Sequence, residues 1–267
     1  MAYDPTGAVP TSWAGQTYEE IVETATADGS VLLVPVGSIE QHGYHLPVAT
    51  DTLLVNAVAN LGATRVDDDV PVVVTPPLWA GYSPHHLPFG GTLTLSFDTM
   101  LDVVEELADS ALSNGFDALV FLNGHGGNKP LIDAATSTVG ADHPEAAVVG
   151  LTYFDLADEF IDELRDSDPG GMAHGGEFET SLLLHLHPEL VREDGRDAPN
   201  VDEPYDRETT DLFGGGALSV YRGFDEYSET GAIGAPTAAS AEKGEQIYEL
   251  LGDELEVLLR SVHENNV

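Results

Sequence analysis

The chain has 267 residues, of which 42% are apolar, so it is long enough to bury a sizeable core within one domain spanning residues 1–267. It carries 47 acidic and 9 basic residues, a formal net charge of -38, which argues against nucleic acid or anionic membranes as partners, because both require clustered Lys and Arg. Since it has no cysteine, disulfide bonds and thiolate metal sites are excluded, and any bound metal must be held by imidazole and carboxylate.

The hydrophobic pattern predicts strands and helices that alternate along most of the chain. Short runs of β-forming apolar residues predict strands over 31–36, 70–75, 118–122 and 146–153. Helices are predicted over 52–61, from Ser96 or Asp98 to about 114, and over 128–139, 155–165, 178–187 and 241–263, whereas the Gly-, Pro- and Asp-rich stretch 190–235 predicts long loops. This alternation predicts an α/β fold, a three-layer αβα sandwich with a mostly parallel central sheet. Ligand sites in such sheets lie beyond the carboxyl ends of the strands.

Potential metal ligands follow the first predicted strand. Glu40 and His42 are two residues apart, so in an extended stretch their side chains share a side, and Asp51 begins the next predicted helix. Carboxylate and imidazole without thiolate suit Zn, Mn or Fe(II). The alternative interpretation is a polar loop whose His and Glu side chains only cap neighbouring helices.

A second polar segment, Asn123 to Asn128, follows the third predicted strand. Three glycines surround His125 and allow backbone conformations that other residues avoid, so a metal or a substrate could approach the chain closely. A phosphate-binding loop is disfavoured, because no Gly-Lys-Ser or Gly-Lys-Thr triplet follows. A plain tight turn is the remaining alternative.

A third segment, from Ala173 to Ser181, places His174, Glu177 and Glu179 at the start of an apolar helix. Acidic residues are ordinary at a helix N-terminus, where the macrodipole favours negative charge. That explanation does not cover His174, because a cation is unfavourable at this end of a helix. The segment therefore indicates a functional site.

Together these segments resemble the creatininase family, which hydrolyses cyclic amides and related C–N bonds. The resemblance rests on Pro35 to Gly43 followed by Asp51, on Asn123-Gly124-His125, on His174-Gly175-Gly176 with Phe178 to Ser181, and on Glu242-Lys243-Gly244. These motifs occur in order and span most of the chain. The resemblance implies a creatininase-like fold and a metal-dependent amidohydrolase.

Two divalent metal ions (Zn, Mn or Fe) are implied by the resemblance, one held by Glu40 and His125, the other by His42, and both bridged by Asp51. A further ligand is needed, because creatinine-hydrolysing members carry a Tyr-Glu pair where this chain has Gly126 and Gly127. We predict Glu177 in that role, with Glu179 as the alternative. Three carboxylates and one hydroxide would neutralise two divalent cations, whereas an excess of buried charge would be costly.

The resemblance also implies a mechanism and its residues. A water between the two metals attacks the amide carbon, because two cations lower the pKa of that water. His174 is implied to give a proton to the leaving amine, and Glu179 is predicted to orient His174 or a ligand imidazole. The loop before the second long helix resembles the substrate-side loop of the family, so Tyr82, Ser83 and His86 are predicted substrate contacts. Gly126, in the segment after the third strand, is predicted as a further one. Ordinary surface polar residues are the alternative for that loop.

The departures from the family pattern bear on the substrate. Creatinine-hydrolysing members carry a Trp-Asp pair where this chain has Gly170-Gly171, which argues against creatinine. Relatives with the Gly-His-Gly-Gly-Asn form resemble this chain more. They include a formamide hydrolase acting on a pyrimidine nucleotide of flavin and deazaflavin synthesis, and a peptidase that trims a cofactor-precursor peptide. We predict a formamide or small cyclic amide ahead of a peptide; a non-catalytic metal-binding scaffold is the alternative from another class.

Three expectations concern the protein as a whole. The family resemblance implies a homo-oligomer, a hexamer, with residues 190–235 as a source of contacts between subunits. A cytoplasmic location is expected, because the sequence shows neither a signal peptide nor a long apolar stretch. Since the acidic residues are scattered and concentrated salt screens charge repulsion, we hypothesise a salt-accumulating, halophilic host.

Overall fold

Four parallel strands form the central sheet of the computed structural model, which describes residues 10–66, 70–198, 205, 208–213 and 218–267. The strands are β1 (Val31–Val36), β2 (Val72–Val74), β3 (Ala118–Asn123) and β4 (Ala147–Thr152). Their order across the sheet is β2-β1-β3-β4, and every neighbouring pair is parallel. The predicted strands are confirmed, although β2 is shorter than its apolar run, and part of the predicted loop segment 190–235 lies outside the described residues.

Seven α-helices occur in the described part of the chain: α1 (Tyr18–Ala25), α2 (Thr50–Arg65), α3 (Phe97–Leu112), α4 (Lys129–Asp142), α5 (Ile161–Leu164), α6 (Glu177–Leu186) and α7 (Ala241–Glu264). The side-chain oxygens of Thr17, Ser96 and Ser240 accept hydrogen bonds from the first turns of α1, α3 and α7. Each of these helices therefore begins at a residue that satisfies its free backbone N–H groups. The apolar pattern does not predict α1.

The continuous helix predicted over 155–165 is wrong. The chain forms a 3-10 turn, Tyr153–Ala157, and then only the four residues of α5. This stretch carries acidic side chains at 155, 158, 159, 162 and 163, and like charges three or four residues apart destabilise a helix. Its apolar residues Tyr153, Ala157 and Ile161 are nevertheless buried, which explains why their spacing imitates a helix.

Helices cover both faces of the sheet, because alternate strand residues point in opposite directions. Val31 and Leu33 lie in a core that includes α2, α6 and α7, whereas Leu32 and Val34 lie in a second core with α1, α3 and α4. Every residue of β1 and β3 is buried, and full burial of one Val or Leu side chain stabilises a fold by about 2 kcal/mol. The predicted three-layer αβα sandwich is confirmed.

The strand order creates a crevice at the carboxyl ends of β1 and β3. The chain leaves β1 toward β2 on one side, then returns to form β3 on the other side of β1. Connections that diverge in this way leave a gap where α/β proteins bind ligands. The first two polar segments begin there, at Gly37 and Asn123. Within the described ranges, no helix is long and apolar enough to cross a membrane.

Candidate active site

The loop after β1 is fastened to the start of α2, and this places Glu40, His42 and Asp51 together. The Thr52 hydroxyl donates a hydrogen bond to the Ser38 carbonyl oxygen at 2.9 Å. A Cβ atom on Gly37 would lie 2.6 Å from the Cα atom of Thr52, so only glycine permits this approach. Asp51 therefore enters the site from the first turn of α2.

The loop after β3 is held by two asparagines and by close glycine contacts. The Asn123 side chain accepts a hydrogen bond from the His125 N–H at 3.1 Å and donates one to the His125 carbonyl at 2.7 Å. The Asn128 side chain donates to the Gly37 carbonyl at 3.0 Å, which links the loops after β1 and β3. A Cβ on Gly127 would lie 2.4 Å from Nε2 of His125, so a larger residue would displace that imidazole.

Two groups of potential metal ligands share Asp51. Glu40, Asp51 and His125 form one trio, and His42, Asp51 and Glu179 form another, with the ligand atoms of each trio within 4.8 Å of one another. His125 Nδ1 lies 3.0 Å from Glu40 Oε2 and 3.3 Å from Asp51 Oδ2. His42 Nε2 lies 3.0 Å from Asp51 Oδ1 and 3.8 Å from Glu179 Oε1. The Asp51 carboxylate thus presents one oxygen, Oδ2, to the first trio and the other, Oδ1, to the second.

Hydrogen bonds set which ring nitrogen of each histidine faces the site. His42 Nδ1–H donates to the Glu40 carbonyl oxygen at 3.1 Å, which leaves Nε2 for the site. His125 Nε2–H points to the Ser83 hydroxyl oxygen at 3.0 Å and the Tyr82 carbonyl at 3.2 Å, which leaves Nδ1. Protein oxygens commonly fix metal-binding imidazoles in this way.

Buried polar atoms at the centre of the site fit metal ions. Glu40 Oε2, His42 Nε2 and Asp51 Oδ2 are buried and have no hydrogen-bond partner. Each of them lies 3.0–3.3 Å from an atom of another ligand candidate, as expected for atoms directed at a shared ion. The donor set of carboxylate and imidazole suits Zn, Mn or Fe(II).

The same proximity perturbs the acid–base properties of these residues in the metal-free protein. Burial acts to raise the pKa of Glu40, but the imidazoles of His125 and His86 outweigh it and hold this pKa well below its usual range. Burial acts to lower the pKa of His125, yet the Glu40 and Asp51 carboxylates raise it to about 10. For His42, Asp51 and Glu179 likewise outweigh burial, and the pKa is raised well above its ordinary value.

Glu177 does not face this site, which corrects the predicted ligand. Its carboxylate accepts hydrogen bonds from the backbone N–H groups of Asp166 and Ser167, both at 2.9 Å, and pairs with the ammonium of Lys243. Residues of an α-helix are rotated by about 100° from one to the next, so side chains two apart point in nearly opposite directions. Glu179 therefore faces His42 and the site, and Glu177 faces α7.

His174 stands beside the ligand trios. Its Nε2–H donates to the Gln41 carbonyl at 2.7 Å, so Nδ1 is the atom facing Glu40 Oε1, at 3.7 Å. Burial and the neighbouring His42 and His86 hold the pKa of His174 well below its ordinary value, which favours a neutral imidazole. His174 also forms a third potential ligand group with Glu40 and His42.

Gln41 and His45 support this region, although the sequence motifs did not single them out. The Gln41 side-chain amide donates to the Gly231 carbonyl at 2.9 Å and lies 2.7 Å from Nδ1 of His86. His45 Nε2–H donates to the Gly175 carbonyl at 2.9 Å, next to His174. Both residues follow Glu40 closely in sequence, but their partners lie far along the chain, so only the fold discloses their roles.

A cavity of about 890 Å³ opens from the site. Of the predicted substrate contacts, Tyr82, His86 and Gly126 line it. Ser83 does not belong with them: its side chain is fully buried, and its hydroxyl lies 2.6 Å from that of Ser38 and 3.0 Å from Nε2 of His125. Ser83 therefore supports His125, and the prediction that it contacts substrate is corrected.

One aromatic residue over the site is missed by the motifs. The half-buried ring of Phe224 lies 4.1 Å from that of His86 and 4.7 Å from that of His174, centroid to centroid. It comes from the short turn Phe224–Glu226 within the loop-rich region. No local sequence signal marks this residue, because its contacts depend on the path of a long loop.

Comparisons with known proteins find relatives that match most of the chain. Residues 14–259 match the family described as "Creatininase: Creatinine amidohydrolase". A mycofactocin precursor peptide peptidase of Mycobacterium ulcerans (strain Agy99) is 33% identical over 228 residues, covering 84% of this chain and 82% of that protein. A creatinine amidohydrolase of Pseudomonas putida is 32% identical over 252 residues, covering 88% of this chain and 90% of that protein. A solved structure, "Creatininase Mn", is 28% identical, with a TM-score of 0.81 and coverage of 94% of this chain and 98% of that one.

Proposed function

This chain belongs to the creatininase family and is a creatininase-like amidohydrolase, and we propose that it hydrolyses the C–N bond of a cyclic amide or formamide with two divalent metal ions. The observation that carries the proposal is the pair of ligand trios that share Asp51. Glu40 and His125 would hold one ion, His42 and Glu179 the other, and Asp51 would bridge them. Glu179 thereby takes the ligand role first predicted for Glu177.

The ions would lower the pKa of a water held between them and polarise the amide carbonyl, which supplies hydroxide and a Lewis acid at neutral pH. The residues of the chain supply orientation and proton transfer. His174 is fixed by its hydrogen bond to the Gln41 carbonyl, so Nδ1 is the atom that would hold a proton and give it to the leaving nitrogen. Phe224 packs over His174 and would limit the access of bulk water to this step.

A peptide is the second candidate substrate, and two observations favour it. The cavity of about 890 Å³ is large for a single small ring, and ligand cavities of this size hold drug-sized molecules. The similar Mycobacterium ulcerans protein is named as a peptidase of a precursor peptide. A peptide end that enters this cavity would present an amide to the same residues.

Three further features stay predictions. The family resemblance implies a hexamer, the composition favours a cytoplasmic location, and the charge excess indicates a salt-rich host. The metal is predicted to be Zn, Mn or Fe, because this donor set accepts all three and availability decides among them.

The test compares wild type with His174→Ala after each protein is loaded with Zn, Mn or Fe(II). Hydrolysis of N-formyl amino acids, hydantoin and a short peptide is measured together with metal content. We expect wild type to turn over at least one of these amides and His174→Ala to keep its metals while losing turnover by roughly 100-fold or more. A wild type that binds metal but cleaves none of the amides would favour the scaffold alternative. Full activity in His174→Ala would remove the proton-transfer role.

A further inference from the structure

The wall of the active-site cavity is strongly acidic but contains one distinctive cation. Among its described lining residues, Lys129 and Arg222 are the lysine and the arginine, and the acidic ones are Glu40, Asp51, Asp155, Asp158, Asp162, Glu179, Glu208 and Asp211. An anionic molecule entering such a cavity would be repelled, unless a cation offset the carboxylates locally. The arrangement of these two basic residues therefore bears on which substrates can bind.

The two cations differ in what they contact. Lys129 Nζ lies 2.8 Å from Asp155 Oδ1 and 4.8 Å from the ring centre of Phe154. Arg222 lies over two aromatic rings instead, with Cζ 5.1 Å from the centroid of Tyr227 and 5.9 Å from that of Tyr205. No carboxylate of the described residues lies within ion-pair distance of Arg222. In a chain with 47 acidic residues, a cation placed in this way is conspicuous.

Stacking on an aromatic ring prepares a guanidinium to bind an anion. The ring contacts the flat face, while the N–H donors lie in the plane and stay accessible. Those donors match the geometry of a carboxylate or phosphate, which they can bind through two parallel hydrogen bonds. The Tyr227 hydroxyl donates a hydrogen bond to Glu208 Oε1 at 3.1 Å, which keeps the Tyr227 ring in place beside Arg222.

A series of ring contacts relates Arg222 to the reacting centre. Tyr227 lies 5.9 Å from Phe224, and Phe224 lies 4.7 Å from His174, centroid to centroid. The guanidinium and the His174 imidazole thus line one cavity and are separated by two aromatic rings. A substrate with its amide beside His174 would reach Arg222 with a group several bonds away.

We propose that Arg222, supported by Tyr227, binds an anionic group of the substrate, a carboxylate or a phosphate, so that the enzyme acts on anionic amides. The amide part rests on the proposed function, whereas binding of the anion does not require turnover. Neutral amides of equal size would bind more weakly, because they offer the guanidinium no anionic group to pair with.

Calorimetry with inert probes tests the anion site. The probes are 3-phenylpropionate, 2-phenylethylphosphonate and the neutral 3-phenylpropanol, and they are added to metal-loaded wild type, Arg222→Met, Arg222→Lys and the control Lys129→Met at constant salt. We expect Arg222→Met to bind the anions about tenfold or more weakly and the alcohol unchanged. Arg222→Lys should recover part of the loss, and Lys129→Met should have the smaller effect. The anion that loses more affinity identifies carboxylate or phosphate as the preferred group.

Unchanged anion affinity in Arg222→Met, an equal loss for the anions and the alcohol, or a larger effect of Lys129→Met would overturn the proposal. Parallel assays use N-formyl-L-phenylalanine and its neutral methylamide. If binding depends on Arg222 but neither amide is cleaved, the proposed hydrolysis fails and the anion site stands. If both amides are cleaved with the same preference in wild type and Arg222→Met, the anion site fails and the hydrolysis stands.

Discussion

At the residue scale, the histidines of the two ligand trios each have one nitrogen hydrogen-bonded to a protein oxygen and the other directed inward. The inward atoms are Nε2 of His42 and Nδ1 of His125, and both lie beside Asp51. The choice of nitrogen is made by backbone and hydroxyl oxygens, such as the Glu40 carbonyl for His42. The site therefore selects a ligand geometry before any ion binds.

This arrangement predicts that metal binding releases protons. In the metal-free protein, burial acts to lower the pKa of His125, but the Glu40 and Asp51 carboxylates outweigh it and raise this pKa to about 10. The pKa of His42 is also raised. The His125 imidazole is therefore protonated at pH 8, and the raised pKa of His42 favours its protonated form as well. An imidazole must be neutral to bind a metal, so binding displaces these protons. Titration calorimetry with Zn in buffers of different ionisation enthalpy should detect about one to two protons released per chain.

The sign of the effect on stability follows from the same pKa. Because the folded-state pKa of His125 lies above the ordinary value of 6.5, its contribution to the stability of the metal-free fold is complete below pH 6.5 and is lost as the pH rises through about 10.

His143→Gln is the control for the proton-release measurement, since that imidazole lies outside the site and its substitution should leave proton release unchanged. Binding without proton release at pH 8 would contradict the prediction.

At the element scale, α6 separates two carboxylates that are close in sequence. Glu179 turns toward His42, whereas Glu177 turns toward α7 and meets Lys243. The approach of the two helices also depends on Gly244, because a Cβ there would lie 1.9 Å from the Ser181 carbonyl oxygen. The Lys243-Gly244 part of the family motif thus has a structural role, and Glu177 belongs to it.

Substitution of Glu179 should change metal content, whereas substitution of Glu177 should change the stability of the fold. Glu179→Gln should lower metal content from about two ions per chain to about one, with the fold retained. Glu177→Gln should keep its metals but lose about 2–3 kcal/mol of unfolding free energy, since Lys243 would lose a buried partner. Elemental analysis and denaturant unfolding of both variants measure this. Loss of metal in Glu177→Gln, or equal metal content in both variants, would be inconsistent with the structure.

The sequence predicted the elements that carry the site better than it predicted the residues facing it. Glu40, His42 and His125 follow strands whose apolar runs are plain, so local pattern was enough to place them at one sheet edge. The choice between Glu177 and Glu179 depends on the residue at which α6 begins, and packing against α7 decides that. Phe224 reaches the cavity along a loop whose path has no periodic pattern, so it could not be placed from sequence.

At the scale of the whole molecule, the formal net charge of -38 is the dominant feature. Described cations pair with some of this charge, as Arg165 does with Asp211 at 2.6 Å, but nine basic residues cannot offset 47 acidic ones. Mutual repulsion of the remainder destabilises a compact chain unless salt screens it. The stability of the folded chain should therefore depend on the salt concentration of the solvent.

Stability should rise with salt. Between 0.1 M and 2 M NaCl we expect the melting temperature to increase by roughly 5 °C or more, because the screening length falls from about 10 Å to under about 3 Å. Differential scanning fluorimetry measures the change. Glycerol at matched water activity is the control for effects not due to charge. A protein equally stable and active at low ionic strength would reject the halophilic hypothesis.

The ligand trios also bear on how the chain folds. Glu40 follows the first strand and Glu179 lies in α6, and closing so long a loop costs conformational entropy. Ions bound by Glu40 and Glu179 and shared by Asp51 would connect these distant parts of the chain. This chain has no cysteine, and such ions would take the place of a disulfide bond. The metals would then act as cross-links, and the resistance of the protein to unfolding would follow the concentration of free metal ions.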